Sequence, residues 1–195
     1  MHESPPEAAL LITERLILKR PSMDDAASLL AFRIATREHL QAWEPARSAA
    51  FYTLAAVESQ LRGMLLQIEH QSAVYWQLHV RQEQGESKII GACSFTNIVR
   101  GPFQACYLGF SLASEYEGQG LMQEALQAAI ADIFNRHGLH RIMANYQPHN
   151  QRSGQLLSRL GFEREGLARA YLHINGAWAD HILTSLIHPR PAGAP

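Results

Sequence analysis

The sequence predicts a mixed α/β fold, of the α+β type, in which a mostly antiparallel sheet is flanked by helices. Residues 22–38 and 53–70 have helical patterns, and in the second the apolar residues recur at spacings of three and four. Three strand-like runs with short connections follow, which is typical of an antiparallel meander. Residues 105–146 then have the order strand, helix, strand, so a right-handed crossover should place those two strands parallel.

The elements of the N-terminal half end at recognisable boundary residues. Pro21 ends the first strand, because proline has no N–H to continue a ladder. Pro45, in the segment WEPARS, separates the two helices. The predicted elements are a strand at 16–18, a helix that Ser22 or Asp24 caps and that runs to about Glu38, and a helix at 53–70.

Glycines mark the boundaries of the C-terminal half. Gly161 and Phe162 predict a Schellman end to the last helix, with Phe162 packed on Leu157. Asn175-Gly176 is a typical two-residue hairpin turn. The predicted elements are strands at 74–80, 88–98 and 105–112 with a turn at 82–87, a helix at about 119–136 that Gly138 ends, a strand at 140–146, a helix at 150–160, and strands at 162–174 and 177–188.

Composition indicates one soluble domain. The chain has 195 residues, of which 47% are apolar, so residues 10–188 can bury a sizeable core as a single domain between a loose N-terminus, 1–9, and a loose tail, 189–195. The net charge of -1 argues against direct nucleic-acid binding as the main function. The absence of a basic leader and of a long apolar run predicts a cytoplasmic protein without a membrane partner, and Cys93 and Cys106 are expected to be buried thiols.

The stretch SEYEGQGLMQEA, residues 114–125, places Gly118 and Gly120 between a strand and a long helix. The first turn of a helix leaves about four N–H groups without partners, and glycines let an anion approach them closely. The alternative is a glycine turn that only lets the chain enter the helix. Gln123 breaks the Rossmann fingerprint, and no Gly-Lys-Ser/Thr occurs for a Walker A loop.

The glycine stretch resembles the acetyl-CoA motif of the GNAT N-acetyltransferase superfamily, Arg/Gln-x-x-Gly-x-Gly/Ala, although Glu115 stands where Arg or Gln is usual. Over roughly residues 10–188 the chain is similar to the RimJ branch, whose members acetylate the N-terminal alanine of ribosomal proteins. The segments that carry this resemblance are TERLILKRP, WEP, RGPFQACYLGFSL, YEGQGLMQEAL, HRIMANYQPHNQRSGQLLSRLGFEREG and INGAWADH.

The resemblance implies a GNAT fold with acetyl-CoA as cosubstrate, bound where the parallel strands 105–112 and 140–146 splay apart. The pyrophosphate would lie on the N–H groups of 117–122, and the pantetheine arm would pair with 110–112. A backbone N–H near Phe110 or Ser111 would stabilise the oxyanion. The implied coenzyme-binding residues are Phe110, Ser111, Leu112, Glu117, Gly118, Gln119, Gly120, Leu121, Met122 and Asn150.

Asn150 and Ser153, at the start of the last helix, can each have either a structural or a functional role. Asn150 suits an N-cap, and the resemblance implies that it also contacts the pantetheine. Ser153 is either an ordinary third helical residue or, by the resemblance, the general acid for the departing thiolate. Relatives often carry a tyrosine for that role at the position of Leu157. A thiol pKa of about 8.5 also lets coenzyme A leave with little help.

Direct transfer needs a neutral amine, and this requirement favours N-termini over lysines. A protein α-amino group has a pKa of about 7.7–8.0, so roughly a tenth is neutral near pH 7, against less than about a thousandth of a lysine with a pKa of about 10.4. Glu44, in the WEP segment, and His149 are the candidate bases. Each also fits a plain role, as a loop carboxylate or as a polar residue before a helix cap. The ten histidines show no metal-binding pattern.

Three functions remain open from the sequence. The leading hypothesis is an enzyme that acetylates the N-terminal alanine of a ribosomal protein. The second is a related enzyme for a small amine, such as a polyamine or aminoglycoside, which predicts an acidic cleft. The third is a non-catalytic module that docks on ribosomal particles.

Overall fold

The computed structural model describes residues 10–81 and 88–189. Except for Pro189, the expected loose ends and the turn at 82–87 lie outside these residues. The strands are β1 (Leu10–Ile12), β2 (Leu16–Lys19), β3 (Val74–Val80), β4 (Ile89–Val99), β5 (Ala105–Leu112), β6 (Arg141–Tyr146), β7 (Glu163–Ile174) and β8 (Ala177–Ile187). The helices are α1 (Ala26–Leu40), α2 (Leu54–Glu69), α3 (Leu121–Asn135) and α4 (Gln151–Arg159), with short 3-10 turns at Met23–Asp25, Ala49–Tyr52 and Ser114–Tyr116.

The strands form one mixed sheet in the order β1-β2-β3-β4-β5-β6-β8-β7, which confirms the predicted fold class. Every neighbouring pair is antiparallel except β5 and β6, which run parallel on either side of the α3 crossover. The meander β3-β4-β5 and the hairpin β7-β8 are as predicted. The short strand β1 was not predicted, because three residues are too few to show a period.

Hydrophobic residues form a separate core on each face of the sheet. The larger core joins α3 and α4 to side chains such as Trp76 and Phe95. The smaller core joins α1 and α2 to Ile89 and Ala113. Because side chains alternate along a strand, Gln77 points away from the face that carries Trp76, toward α1 and α2.

Local signals explain most element boundaries. The Asp25 carboxylate accepts hydrogen bonds from the N–H and the hydroxyl of Ser22, so Ser22, and not Asp24, starts the turn that leads into α1. Gly161 has a φ of 87°, and the Phe162 N–H donates to the Leu157 carbonyl at 3.0 Å, which confirms the Schellman end.

Cys93 and Cys106 are both buried and free, as predicted. Burial raises the pKa of each thiol to about 12, which leaves both unreactive near neutral pH. In the described ranges no helix combines the length and apolarity that crossing a membrane requires.

Candidate active site

Strands β5 and β6 separate after a short paired stretch. They pair only at Ala105–Arg141, Cys106–Ile142 and Tyr107–Met143, whereas β5 stays paired with β4 as far as Leu112. The part of β5 beyond Tyr107 therefore has an unpaired edge, which we call the β5–β6 gap. This is the splayed arrangement that the resemblance implied.

Phe110, rather than Ser111, turns its backbone polar groups toward the β5–β6 gap. The Ala113 N–H donates to the Ile90 carbonyl at 2.9 Å, and the Ser111 carbonyl oxygen lies 2.6 Å from where a Cβ on Gly91 would stand. Ser111 lies two residues before Ala113, so its N–H and carbonyl point the same way, and both observations show that this direction is toward β4. Since successive residues of a strand alternate, the N–H of Phe110 faces the opposite way. Of the two predicted oxyanion donors, the geometry favours Phe110.

The loop at residues 117–120, here called the glycine loop, ends at the first turn of α3. Gly118 and Gly120 have φ values of 73° and 76°, in the left-handed region that favours glycine. In the described chain the N–H groups from Gly118 to Gln123 donate to no protein acceptor, and Glu124 is the first to bond, to the Gly120 carbonyl at 3.1 Å. A Cβ on Gly118 would meet nothing within 4 Å. The loop therefore fits an approaching diphosphate.

Glu117 differs from its predicted role as an N–H donor. Its N–H already donates to the Ser114 carbonyl at 3.2 Å, so the free donors begin at Gly118. The Glu117 carboxylate accepts from Nε2 of His39 at 3.1 Å and forms an ion pair with Arg152. Glu117 thus connects the glycine loop to both α1 and α4, a set of long-range contacts that the sequence could not indicate.

Arg15 supports the glycine loop from the turn between β1 and β2. Its Nε lies 2.7 Å from Oε2 of Glu124, and its Nη1 donates to the Gln119 carbonyl at 2.9 Å. The other carboxylate oxygen of Glu124 accepts from the Arg15 N–H and from the Thr13 hydroxyl. These bonds fix the loop carbonyl and the first turn of α3 to the same cation.

Asn150 caps α4, as one of its two interpretations predicted. Its Oδ1 accepts from the Ser153 N–H at 3.1 Å, while no described residue accepts a hydrogen bond from its Nδ2. Ser153 lies half-buried next to Arg152, whose guanidinium reaches Glu117. Leu157 is 1% exposed and belongs to the larger core, so that position contributes packing and no acid.

A cavity of about 480 Å³ lies on the α1 and α2 side of the sheet. Gln77, Ala92, Ser111 and Phe110 contribute to its sheet side, and Glu44 contributes from the segment after α1. The cavity therefore brings the predicted base Glu44 together with the part of β5 that borders the β5–β6 gap. Asn150 and Ser153 do not line it; they lie at the start of α4.

Glu44 is held by contacts from distant parts of the chain. The Asn175 N–H, at the tip of the β7–β8 hairpin, donates to the Glu44 carbonyl at 3.0 Å. The Trp43 ring lies 5.2 Å from the His149 ring, which places the second candidate base next to the same segment. Burial raises the pKa of the Glu44 carboxyl, and the cations of Arg47 and Arg33 offset part of that rise. A raised carboxyl pKa suits a general base.

Comparisons with known proteins agree with this geometry. Residues 15–163 match the family model described as an acetyltransferase (GNAT) domain. The chain is 45% identical to the [ribosomal protein uS5]-alanine N-acetyltransferase of Escherichia coli, over 92% of this chain and 91% of that protein. The crystal structure of a ribosomal-protein-S5-alanine acetyltransferase from Vibrio fischeri superposes with a TM-score of 0.87 at 40% identity, covering 94% of this chain and 100% of that one. RimJ of Mycobacterium smegmatis, solved with CoA-disulfide, superposes at 0.83 with 28% identity, covering 96% and 90%. This chain therefore belongs to the GNAT acetyltransferase family, whose members take their acetyl group from acetyl-CoA.

Proposed function

We propose that this chain transfers the acetyl group of acetyl-CoA to the α-amino group of the N-terminal alanine of a ribosomal protein. The observation that carries the proposal is that Phe110 and Ser111 line the cavity while the same strand borders the β5–β6 gap. An amine in the cavity and a thioester in the gap would meet at this strand. The choice of acceptor rests on the activity named for the Escherichia coli relative.

The glycine loop and α3 would hold the coenzyme through its diphosphate. Six consecutive N–H groups, Gly118 to Gln123, donate to no acceptor among the described residues, and the positive end of the α3 dipole lies at the same place. The Nδ2 of Asn150 is available to a carbonyl of the pantetheine arm. Acetyl-CoA supplies an activated thioester, and these residues fix its position relative to β5.

Glu44 would take the proton that the amine must lose, directly or through one water molecule. Its pKa is raised by burial, which brings it closer to that of an α-amino group and makes the transfer less unfavourable. His149 is the alternative base, since its ring packs on Trp43 next to Glu44. An α-amine near neutral pH needs only modest help, because roughly a tenth of it is already uncharged.

The N–H of Phe110 would stabilise the negative charge that develops on the carbonyl oxygen as the amine attacks. An N–H fixed in a strand needs no reorganisation at that moment. Ser153 would donate a proton to the departing thiolate of coenzyme A. Because a thiol has a pKa of about 8.5, we expect this step to depend on Ser153 less than attack depends on Glu44.

The charges of the cavity support a peptide acceptor over a polyamine or an aminoglycoside. A small polycationic acceptor predicts an acidic cleft. The charged side chains among the described lining residues are those of Arg33, Arg37, Arg47 and Glu44, so cations outnumber anions there. A peptide N-terminus carries a single positive charge into the cavity and loses it before attack. A ribosomal-protein acceptor also fits the predicted cytoplasmic location.

The test uses the purified chain, acetyl-CoA and a peptide that begins with alanine and contains an internal lysine. We expect release of free coenzyme A and fragment masses that place one acetyl group on the N-terminal residue. A matched peptide with a blocked N-terminus should give no product. Acetylation of the lysine, or a strong preference for spermidine over the peptide, would contradict the proposed acceptor.

A further inference from the structure

Gln77 has an unusual environment for an amide side chain. It lies in the middle of β3 with only 2% of its surface exposed. Neither its Nε2 donor nor its Oε1 acceptor has a partner among the described residues. Buried polar groups in folded proteins are nearly always paired, so a fully unpaired carboxamide requires an explanation.

The sheet register places Gln77 on the floor of the cavity. Gln77 pairs with Ala92 of β4, and Ala92 pairs with Ser111 of β5, so these three side chains form one row on the same face. All three line the cavity. With neighbouring strands about 4.8 Å apart, Gln77 and Ser111 are separated by roughly 10 Å, and only the methyl group of Ala92 lies between them.

Two other polar side chains of the cavity wall already have partners. The Thr36 hydroxyl donates to the Phe32 carbonyl at 2.8 Å. The Arg33 guanidinium donates to the Phe51 carbonyl and to Gln60. The Nε1 of Trp76 also has no partner among the described residues, and Trp76 contributes to the cavity lining as well, but its ring belongs to the larger core. Gln77 therefore combines an amide without a partner among the described residues with a place in the cavity lining.

We infer that Gln77 is a specificity residue that pairs with the backbone of the acceptor's second residue. Its Oε1 accepts from the N–H of that residue, and its Nε2 donates to the carbonyl oxygen of the same residue. In an extended chain the N–H and the carbonyl of one residue lie on the same edge, so one carboxamide can bond to both, whereas a simple alkyl amine has no such pair. The inference rests on the proposed function, because it deepens the choice of acceptor at the same site.

The distances are consistent with this pairing. One extended residue spans about 3.3–3.6 Å. An amine next to Ser111 would therefore place the backbone of the acceptor's second residue above Ala92, within the reach of the Gln77 side chain. The small side chain of Ala92 leaves room for the side chain of the acceptor's first residue. That side chain is a methyl group when the residue is alanine.

Replacing Gln77 by methionine tests the inference, because methionine has a similar shape and no amide. We expect Gln77→Met to raise KM for an alanine-starting peptide roughly tenfold, the effect of losing two ordinary hydrogen bonds. The melting temperature should stay the same or rise, since the substitution removes no side-chain hydrogen bond to another described residue. KM for acetyl-CoA should not change.

Thr184→Val is the matched control. Thr184 is 4% exposed, lies outside the cavity, and donates from its hydroxyl to the Ala144 carbonyl at 2.9 Å. This variant should show the opposite pattern, a lower melting temperature and an unchanged KM. If Gln77→Met behaves like Thr184→Val, Gln77 is structural and the inference is wrong.

A modified acceptor tests the same pairing without relying on the stability of a variant. A peptide with an N-methylated second residue lacks the N–H that Oε1 accepts. The unmodified enzyme should use it several-fold less well than the parent peptide, while Gln77→Met should treat the two peptides alike. Equal use of both peptides by the unmodified enzyme would overturn the inference and leave the proposed function intact. Failure to acetylate any peptide would overturn both.

Discussion

The guanidinium Nε of Arg15 lies 2.7 Å from Oε2 of Glu124, across 109 residues of sequence. The same guanidinium donates to the carbonyl of Gln119, within the glycine loop. One side chain from the start of the fold therefore connects the loop to the first turn of α3. The free N–H groups of the loop are positioned before any ligand arrives, which reduces the entropy that binding must overcome.

Replacing Arg15 by methionine should weaken coenzyme binding. The substitution removes the bond to the Gln119 carbonyl and the ion pair with Glu124, while it keeps the aliphatic part of the side chain. We expect KM for acetyl-CoA to rise several-fold with little change in KM for the peptide. Arg62→Met is the control, because Arg62 forms a loose ion pair with Glu58 on α2, far from the loop in sequence. Equal KM values for the two variants would contradict a positioning role for Arg15.

The Arg15–Glu124 contact should also appear in the pH dependence of stability. Burial raises the pKa of Glu124, but the hydrogen bonds from Thr13 and Arg15 outweigh it and hold the pKa below its usual value. A lowered carboxyl pKa adds stability above the unfolded pKa of about 4.3, and this is lost as pH falls through the folded pKa. Glu124→Gln should therefore be less stable than the parent at pH 7, and the difference should shrink in denaturant titrations below about pH 4. A difference that does not depend on pH would argue against this contact.

Gly118→Ala separates backbone strain from interference with the ligand. Gly118 has a φ of 73°, so alanine there should cost about 1 kcal/mol of stability. Gly138 has a φ of 61° and, like Gly118, would place a Cβ in open space, which makes Gly138→Ala a matched control. Both variants should lose similar stability, and only Gly118→Ala should raise KM for acetyl-CoA. A similar KM in both would mean that the loop does not approach the coenzyme closely.

Asn150→Ser distinguishes the cap from the proposed pantetheine contact. Serine can still accept from the N–H of residue 153, so α4 should remain capped. The Nδ2 donor is lost, and we expect KM for acetyl-CoA to rise while the melting temperature changes little. Thr53→Ala removes the cap of α2, where the Thr53 hydroxyl accepts from the Ala56 N–H at 3.3 Å. That variant should lose about 1 kcal/mol and keep its KM values. An unchanged KM for acetyl-CoA in Asn150→Ser would mean that Asn150 only caps α4 and does not contact the pantetheine.

Glu44→Gln should slow turnover and change its pH profile. Burial raises the pKa of Glu44, so the acidic limb of kcat/KM should lie above about 4.3, the ordinary value for glutamate. The amide of glutamine cannot take a proton, so we expect kcat/KM to fall about a hundredfold. The acidic limb that Glu44 gives to the pH profile should disappear. Glu58→Gln, on the exposed face of α2, should have no effect. If His149→Ala removes the limb and Glu44→Gln does not, the base is His149.

The fold could be predicted from the sequence because the local signals for its strands, helices and turns are strong and consistent. Asn175-Gly176, for example, has φ values of 45° and 85° in the two positions that such a hairpin turn requires. The left-handed conformations of Gly118 and Gly120 likewise follow from their place between a strand and a helix.

The contacts that complete the site could not be predicted, because they join residues far apart in the chain. Nothing in the sequence indicates that Asn175 contacts Glu44, or that His39 and Arg152 both contact Glu117. Gln77 was visible as a polar residue in the run VYWQLHV. Its lack of a partner became evident only from the register of three strands and the position of α1.

The central claim is that an α-amine in the cavity attacks a thioester held in the β5–β6 gap. The most direct test is the product of a single reaction with an alanine-starting peptide, acetyl-CoA and the unmodified chain, analysed by fragment mass spectrometry. We predict one acetyl group, located on the N-terminal nitrogen, in an amount equal to the coenzyme A released. Coenzyme A release without an acetylated N-terminus, or a folded protein that yields neither product, would contradict it.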